Sequence, residues 1–230
     1  MDLSPQAFFD LTGWEHASLF DEITRVWEAL ERIEPYLERH LKPGVEGSVE
    51  TGAWIVGDVY VGPGARVEAG AMIQGPAIIG AGTVVRHGAY IRGGCIVGSG
   101  CVVGHATELK RAVLLDKAQA PHFNYVGDSI LGRGVNLGAG VKLSNFKNDG
   151  SLIEVDTGNG RIPTGQRKLG AILGDGVQIG CNSVTSPGTL VGPGTMVYAN
   201  VTLRGVYPPS CIVKVRHTVE VVERRRKEGR

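Results

Sequence analysis

The sequence predicts a mainly β chain wound as a prism of short parallel strands, on two observations. An aliphatic side chain returns every sixth residue, and glycine is far above ordinary usage, at 35 of 230 residues. Steps of six from Val49 to Leu115 meet Val, Ile or Leu at twelve consecutive positions. The frame resumes at Leu131, Leu137 and Leu143, and again at Leu173, Ile179, Val191, Val197 and Leu203, with Thr185 as its one exception. Glycine often follows the aliphatic residue (Gly62, Gly80, Gly98, Gly138, Gly180), and a small or β-branched residue usually stands four places after it (Ala65, Ala71, Thr83, Cys95).

A six-residue period cannot be one face of a helix, because at 3.6 residues per turn its positions drift round the cylinder. A short strand and a tight turn fit it, with the aliphatic side chain inward and glycine at the corner. Three such sides close a coil of 18 residues, and stacked coils cover one another's apolar interior. Residues 18 apart then lie one above the other.

Composition narrows the function classes. A net charge of +1 argues against nucleic acid or a membrane surface as partner. A hydrophobic content of 42% is too high for a disordered glycine-rich chain. No apolar run is long enough to span a membrane, and the N-terminus has no signal-peptide pattern. Cys95, Cys101, Cys181 and Cys211 form no C-x-x-C pair, which suggests reduced thiols and a cytoplasmic protein.

Residues 1–44 read differently, as a helical cap. Ser18 and Asp21 resemble a capping box, and Leu19, Ile23, Val26, Trp27, Leu30, Ile33 and Leu37 recur at helical spacing. Pro35 should kink or interrupt this helix and Pro43-Gly44 should end it. A helix there is expected as a lid over the open end of the prism, shielding its ladder edge, with a partner-binding helix as the alternative. The β-helix itself is expected over 45–216, with loops near 121–130 and 144–171. A charged tail follows over 217–230, including the run Arg224 to Lys227.

Regular scaffolds carry function where regularity fails, here at Pro121 to Asp128 and from Ser144 to about Ala171. The coil spacing adds two pairs. Arg92 and Lys110 are 18 apart, so two cations stack on one corner; they should repel unless an anion such as a phosphate sits between them, and a solvated charged edge is the alternative. Cys181 and Ala199, also 18 apart, leave a flat track that a long thin ligand could occupy, although ordinary repeat composition explains them too.

From about Arg92 to Arg216 the chain resembles the acetyltransferase domain of the family of bifunctional glucosamine-1-phosphate acetyltransferase / N-acetylglucosamine-1-phosphate uridyltransferase. It is closer still to the archaeal sugar-phosphate nucleotidylyltransferase–acetyltransferases, on His122 to Asp128 and on Arg167-Lys168-Leu169-Gly170-Ala171. The resemblance implies a left-handed parallel β-helix; the general crossover rule alone would favour the right hand. It implies that His122 is the general base and Glu108 a carboxylate beside it. Arg92, Lys110, Tyr125, Asn136 and Lys168 would hold the sugar phosphate, and Asn145 would lie near the amino group. Ala139, Cys181, Ala199 and Arg216 would contact acetyl-CoA, the co-substrate. It further implies a homotrimer with its sites between subunits. Three departures stand out: Phe146 replaces a tyrosine, Cys181 stands where a serine is familiar, and the loop before Lys168 is long.

The expected reaction is direct acetyl transfer to an amino-sugar 1-phosphate. A neutral imidazole at His122 takes the amine proton, and the backbone N–H of Ala139, between two glycines, meets the oxyanion. The cations position the amine by gripping the phosphate. No metal is required. His16, His40, His87, His105 and His217 read as structural. A zinc hydratase on this scaffold is disfavoured, since His105 and His122 are 17 apart and no H-x-x-x-x-H occurs. Gly80-Ala81-Gly82-Thr83 with Arg86 has a nucleotidyltransferase look, but the hexad frame explains it. An acyltransferase for another amine, and a non-enzymatic subunit assembled with a separate uridyltransferase, remain as alternatives.

Overall fold

Each hexad folds into a strand of two to four residues and a corner, and every third hexad returns to the same side. The computed structural model, which describes residues 2–216 and 218–223, is a parallel β-helix with three faces of nine, nine and eight strands. The first face runs from Gly44–Val45 to Val206–Tyr207, the second from Ser48–Val49 to Ile212–Val213, and the third from Trp54–Val56 to Thr202–Leu203. His217 and the run Arg224 to Lys227 lie outside the described residues.

The frame residues point inward and form one continuous core along the axis. Each buried aliphatic side chain contributes about 1.5–3 kcal/mol, so stability accumulates coil by coil. Thr185 keeps the inward place between Leu143 and Leu203, and its hydroxyl has no hydrogen-bond partner among the described residues.

Coil spacing departs from 18 at both ends of the prism, where Gly44 pairs with Tyr60 and Leu190 with Val206, 16 apart, and again in its middle. Ile91 pairs with Leu109, but Val97 pairs with Leu114 and Val113 with Ile130, which are 17 apart. Leu114 therefore takes the inward place expected of Leu115, and Leu115 joins an outer apolar layer. The residue is lost at the corner after the third face, which Arg111 (φ 44°) and Asp128 (φ 47°) each turn in the left-handed region. The stretch 121–130, expected as a loop, stays in the coil: Gln119–His122 and Tyr125–Gly127 are strands. The later insertion does leave the coil, since Leu131 pairs with Leu173, 42 residues on. It carries an antiparallel hairpin, Glu154–Asp156 with Arg161–Pro163.

The N-terminal segment does not cap the open end. Phe8, Trp27, Leu30 and Ile33 pack with Ile153, Val155 and Leu169 of the insertion onto Ile78, Ile96, Val113, Ile130, Ile172 and Leu190, the outward positions of the first face. Those six aliphatic side chains make a stripe that needs cover, and this decides where the segment docks. The first coil's edge is left open, with Trp54 64% exposed. The helix is also shorter than its apolar spacing suggested: α1 covers Ala29–His40 and is preceded by single 3-10 turns at Ala17–Phe20 and Val26–Glu28. No box forms at Ser18; instead the Glu28 carboxylate accepts the backbone N–H groups of Thr24 (3.0 Å) and Arg25 (3.1 Å). α1 runs through Pro35 and ends before Pro43-Gly44. No helix among the described residues is long and apolar enough to cross a membrane.

Candidate functional site

On the third face, alternation places two outward columns either side of the buried Ile91, Leu109, Val126 and Leu143. One column is Tyr90, Glu108, Tyr125 and Lys142, in register. The other sets Arg92 over Lys110, as their spacing of 18 requires. The separating anion is supplied from within the chain: Arg92 pairs with Glu108 at 2.9 Å and Lys110 with Asp128 at 3.2 Å. The hydrogen bond to Glu108 raises the Arg92 pKa further above its ordinary value.

Asp128, which the sequence reading passed over, is the centre of this cluster. Its side chain is 1% exposed, and a carboxylate so buried must be paired and hydrogen-bonded. It accepts from Lys110 Nζ, from Arg111 Nε at 2.5 Å and from Asn145 Nδ2. Its backbone carbonyl accepts the N–H of Gly170 at 2.7 Å, and Arg111 Nη2 donates to the carbonyl of Lys168 at 3.0 Å. Both ends of the insertion are thus fastened to the cluster, and Lys168 arrives beside Lys110. The two line a cavity of about 340 Å³ together with Arg111, Arg167, Asp128 and Glu31 of α1.

Tyr125 closes the cluster on its other side. Asn145 Nδ2 donates to Tyr125 Oη at 3.2 Å. Burial pushes the Tyr125 phenol above its ordinary pKa, and Glu108 and Asp128 add to the effect. A Cβ on Gly127 would stand 2.6 Å from that phenol oxygen and 2.7 Å from Asn145 Nδ2, so only glycine admits both side chains here.

His122 sits round the corner, at the end of the second-face strand Gln119–His122 and in register with His105. Phe123 makes the turn at φ 53°. Buried Asn124 holds the corner: its Oδ1 accepts the His122 N–H at 3.0 Å, its Nδ2 donates to the carbonyl of Gly138 at 2.8 Å, and its own N–H donates to Thr107 Oγ1 at 3.2 Å. His105 is tied to the carbonyl of His87 through Nδ1 at 2.9 Å, and its ring meets Phe123 edge-on.

Above His122 one position of the same edge carries small side chains, flanked by Asn182, Tyr198 and Asn200. The His122 carbonyl accepts from Gly140, the Ala139 carbonyl from Asn182 and the Cys181 carbonyl from Asn200, which stacks Ala139, Cys181 and Ala199 on successive coils. Among the described residues the Ala139 N–H has no acceptor. In this column Cys181 is exposed as a free thiol.

The structure thus sorts the expected residues into groups. Arg92, Glu108, Lys110, Tyr125, Asn145 and Lys168 gather on the third face and its corner, while His122, Ala139, Cys181 and Ala199 line the adjoining edge. Asn136 lies apart, on the second face between Gln119 and Gln178, and Arg216 is exposed beyond the last strand. Asn124 and Asp128 lie in the break at Pro121 to Asp128 that the sequence marks, but no pattern in the sequence assigned a role to them or to Arg111. Among the described residues, no group of three or more His, Cys, Asp or Glu is arranged to hold a metal ion.

Residues 73–200 match a family model described as the GMPPB C-terminal domain. The chain is similar to a bifunctional protein GlmU of Methanococcus maripaludis, 44% identical over 190 residues, which is 83% of this chain and 46% of that protein. A bifunctional protein GlmU of Methanocaldococcus jannaschii is 35% identical over 181 residues, 79% of this chain and 44% of that protein. Among solved structures, the UDP-N-acetylglucosamine acyltransferase of Francisella novicida overlays with a TM-score of 0.45 at 11% identity, covering 73% of this chain and 59% of that one. The chain spans under half the length of these curated relatives.

Proposed function

The chain belongs to the family of the GMPPB C-terminal domain, and on that premise we propose that it is an acetyl-CoA-dependent N-acetyltransferase acting on an amino-sugar 1-phosphate. One observation carries the reading. Lys110, Asn145 and Lys168 come from three separate segments, and the buried Asp128 with Arg111 brings them together beside the edge that carries His122.

In this reading the phosphate is gripped by Lys110, Lys168 and Arg92, each a charge-assisted contact. That grip orients the amine toward His122. The amine nitrogen attacks the thioester carbonyl of acetyl-CoA while the His122 imidazole takes its proton. The new oxyanion is met by the free N–H of Ala139. When the C–S bond breaks, the departing CoA sulfur recovers the proton from His122. The pantetheine arm of acetyl-CoA lies over Ala139, Cys181 and Ala199, whose small side chains leave it room, with Arg216 toward its far end. Asn136 faces away from the third-face cluster within one chain, so it can serve that cluster only in a neighbouring copy. This supports a homotrimer with its sites between subunits.

A thiol-release assay with acetyl-CoA and a panel of amino-sugar phosphates and simple amines tests the activity. Turnover confined to the amino-sugar 1-phosphates supports the reading, and turnover of other amines alone overturns it. Light scattering should give three chains per particle; a fully active monomer would refute the shared site.

A further inference from the structure

Along the coil, His122 ends the second face, Tyr125–Gly127 crosses the third, and Asp128 turns the corner toward the first. An amino sugar held with its amine at His122 therefore points its phosphate at that corner. Anything esterified to the phosphate projects past the corner, toward the segment that covers the first face. α1 lies there, and its Glu31 lines the corner cavity of about 340 Å³ with Lys110, Arg111, Asp128, Arg167 and Lys168. The acetyl-transfer reading gives Glu31 no part.

The charges in this cavity fall into two sets. Lys110 and Arg111 are both paired with the buried Asp128. Arg167, Lys168 and Glu31 are exposed, and among the described residues none of the three has an opposite charge within ion-pair distance. Glu31 cannot swing far, because its neighbours Leu30 and Ile33 are buried in the outer apolar layer. Gln166 Nε2 also ties the insertion to the carbonyl of Trp27, just before the helix, at 3.3 Å. Glu31 lies outside residues 73–200, the part that matches the family model, so this wall belongs to the N-terminal segment of this chain. Four cations and two carboxylates leave the cavity with two positive charges. That balance suits one phosphate monoester, which carries about −1.5 to −2 near neutral pH. A second phosphate joined to the first would bring its charge up against Glu31, and like charges a few ångströms apart repel even where water partly screens them.

We propose that Glu31 is a specificity-determining residue, which admits a sugar monophosphate and turns away an acceptor whose phosphate carries a second one. The carboxylate acts by repulsion, so it selects through what it excludes. The inference rests on the phosphate grip of the function proposed above. It gives the N-terminal segment a part in acceptor choice besides covering the apolar stripe of the first face.

Calorimetric titration of the full chain with inorganic phosphate and with pyrophosphate tests it without turnover. In the wild type pyrophosphate should bind no tighter than phosphate, despite its greater charge. Glu31→Gln should tighten pyrophosphate about tenfold and phosphate less than about threefold, and the gain should shrink in concentrated salt. Glu38→Gln, on the same helix but lining the groove beside Gly57 and Gly75, should move neither. In the acetyl-transfer assay, Glu31→Gln should raise kcat/KM for UDP-glucosamine about tenfold relative to that for glucosamine 1-phosphate. The inference is overturned if phosphate binds but Glu31→Gln leaves the preference between the two anions where it was, or if Glu38→Gln shifts it equally. A wild type that binds no phosphate would overturn the grip itself, and the function proposed above with it. The expected binding shifts without acetyl transfer to any amine would overturn that function alone and leave Glu31 as the selector of this anion site.

Discussion

On the third face Lys110, Arg111 and Asn145 converge on one buried carboxylate, whereas round the corner Ala139, Cys181 and Ala199 make a column with almost no side chain. The first region is fixed by charge and hydrogen bonding, so deleting a few atoms should disable it. The second is fixed by coil spacing, so deletion should do little and only added bulk should harm it. His122 stands where the two meet, and its backbone is held by Asn124.

The largest effect is expected at that junction. His122→Ala should lower kcat by about 10²–10⁴-fold, the span for loss of a general base, with thermal unfolding nearly unchanged because the side chain is exposed. Near-normal turnover would remove His122 from the mechanism and leave the two regions without a shared reaction.

Next comes Asp128→Ala, which strands two cations and releases Asn145 at the start of the insertion, while the backbone bond from Gly170 stays. Lys110 and Arg111 keep side-chain exposures of 22% and 27%, so the loss should fall below that of a fully buried pair, at about 2–3 kcal/mol in denaturant unfolding. A loss under about 0.5 kcal/mol would deny the cluster its central anchor.

The two regions should then separate kinetically. Arg92→Ala or Lys110→Ala should raise KM for the sugar phosphate about tenfold or more, through a lost contact of about 1.5–3 kcal/mol, and leave KM for acetyl-CoA alone. Both variants should be far less impaired toward the unphosphorylated amino sugar. Cys181→Trp should do the converse, raising KM for acetyl-CoA by a similar factor. Equal effects of either change on both substrates would erase the distinction drawn here.

The smallest effects belong to the thiols. Cys181→Ser should change either KM by less than about twofold, because it preserves a small side chain. In alkylation of the native protein Cys181 should label first. Cys95 and Cys101 should stay unlabelled, since burial pushes both thiols up to about 12 and only the thiolate reacts. Fast labelling of Cys95 would mean that the core opens readily.

The sequence by itself determined the coil, because a six-residue period is a local property: each hexad repeats the same strand and corner, and Val61, Ile79 and Val97 must stack if any coil forms. It also determined the Arg92–Lys110 and Cys181–Ala199 stacks, which follow from counting. The resemblance contributed His122 and Lys168 as candidates, but not what holds them. Tertiary structure decided the rest. Whether Leu114 or Leu115 faces inward turned on one corner residue lost at Arg111, which a fixed frame cannot register. Where the N-terminal segment docks was set by the outward stripe from Ile78 to Leu190, six positions brought side by side only by stacking. Asp128 gained its place in the same way, because its partners lie 17 and 18 residues apart in the coil and its buried charge is tolerable only where Lys110, Arg111 and Asn145 surround it.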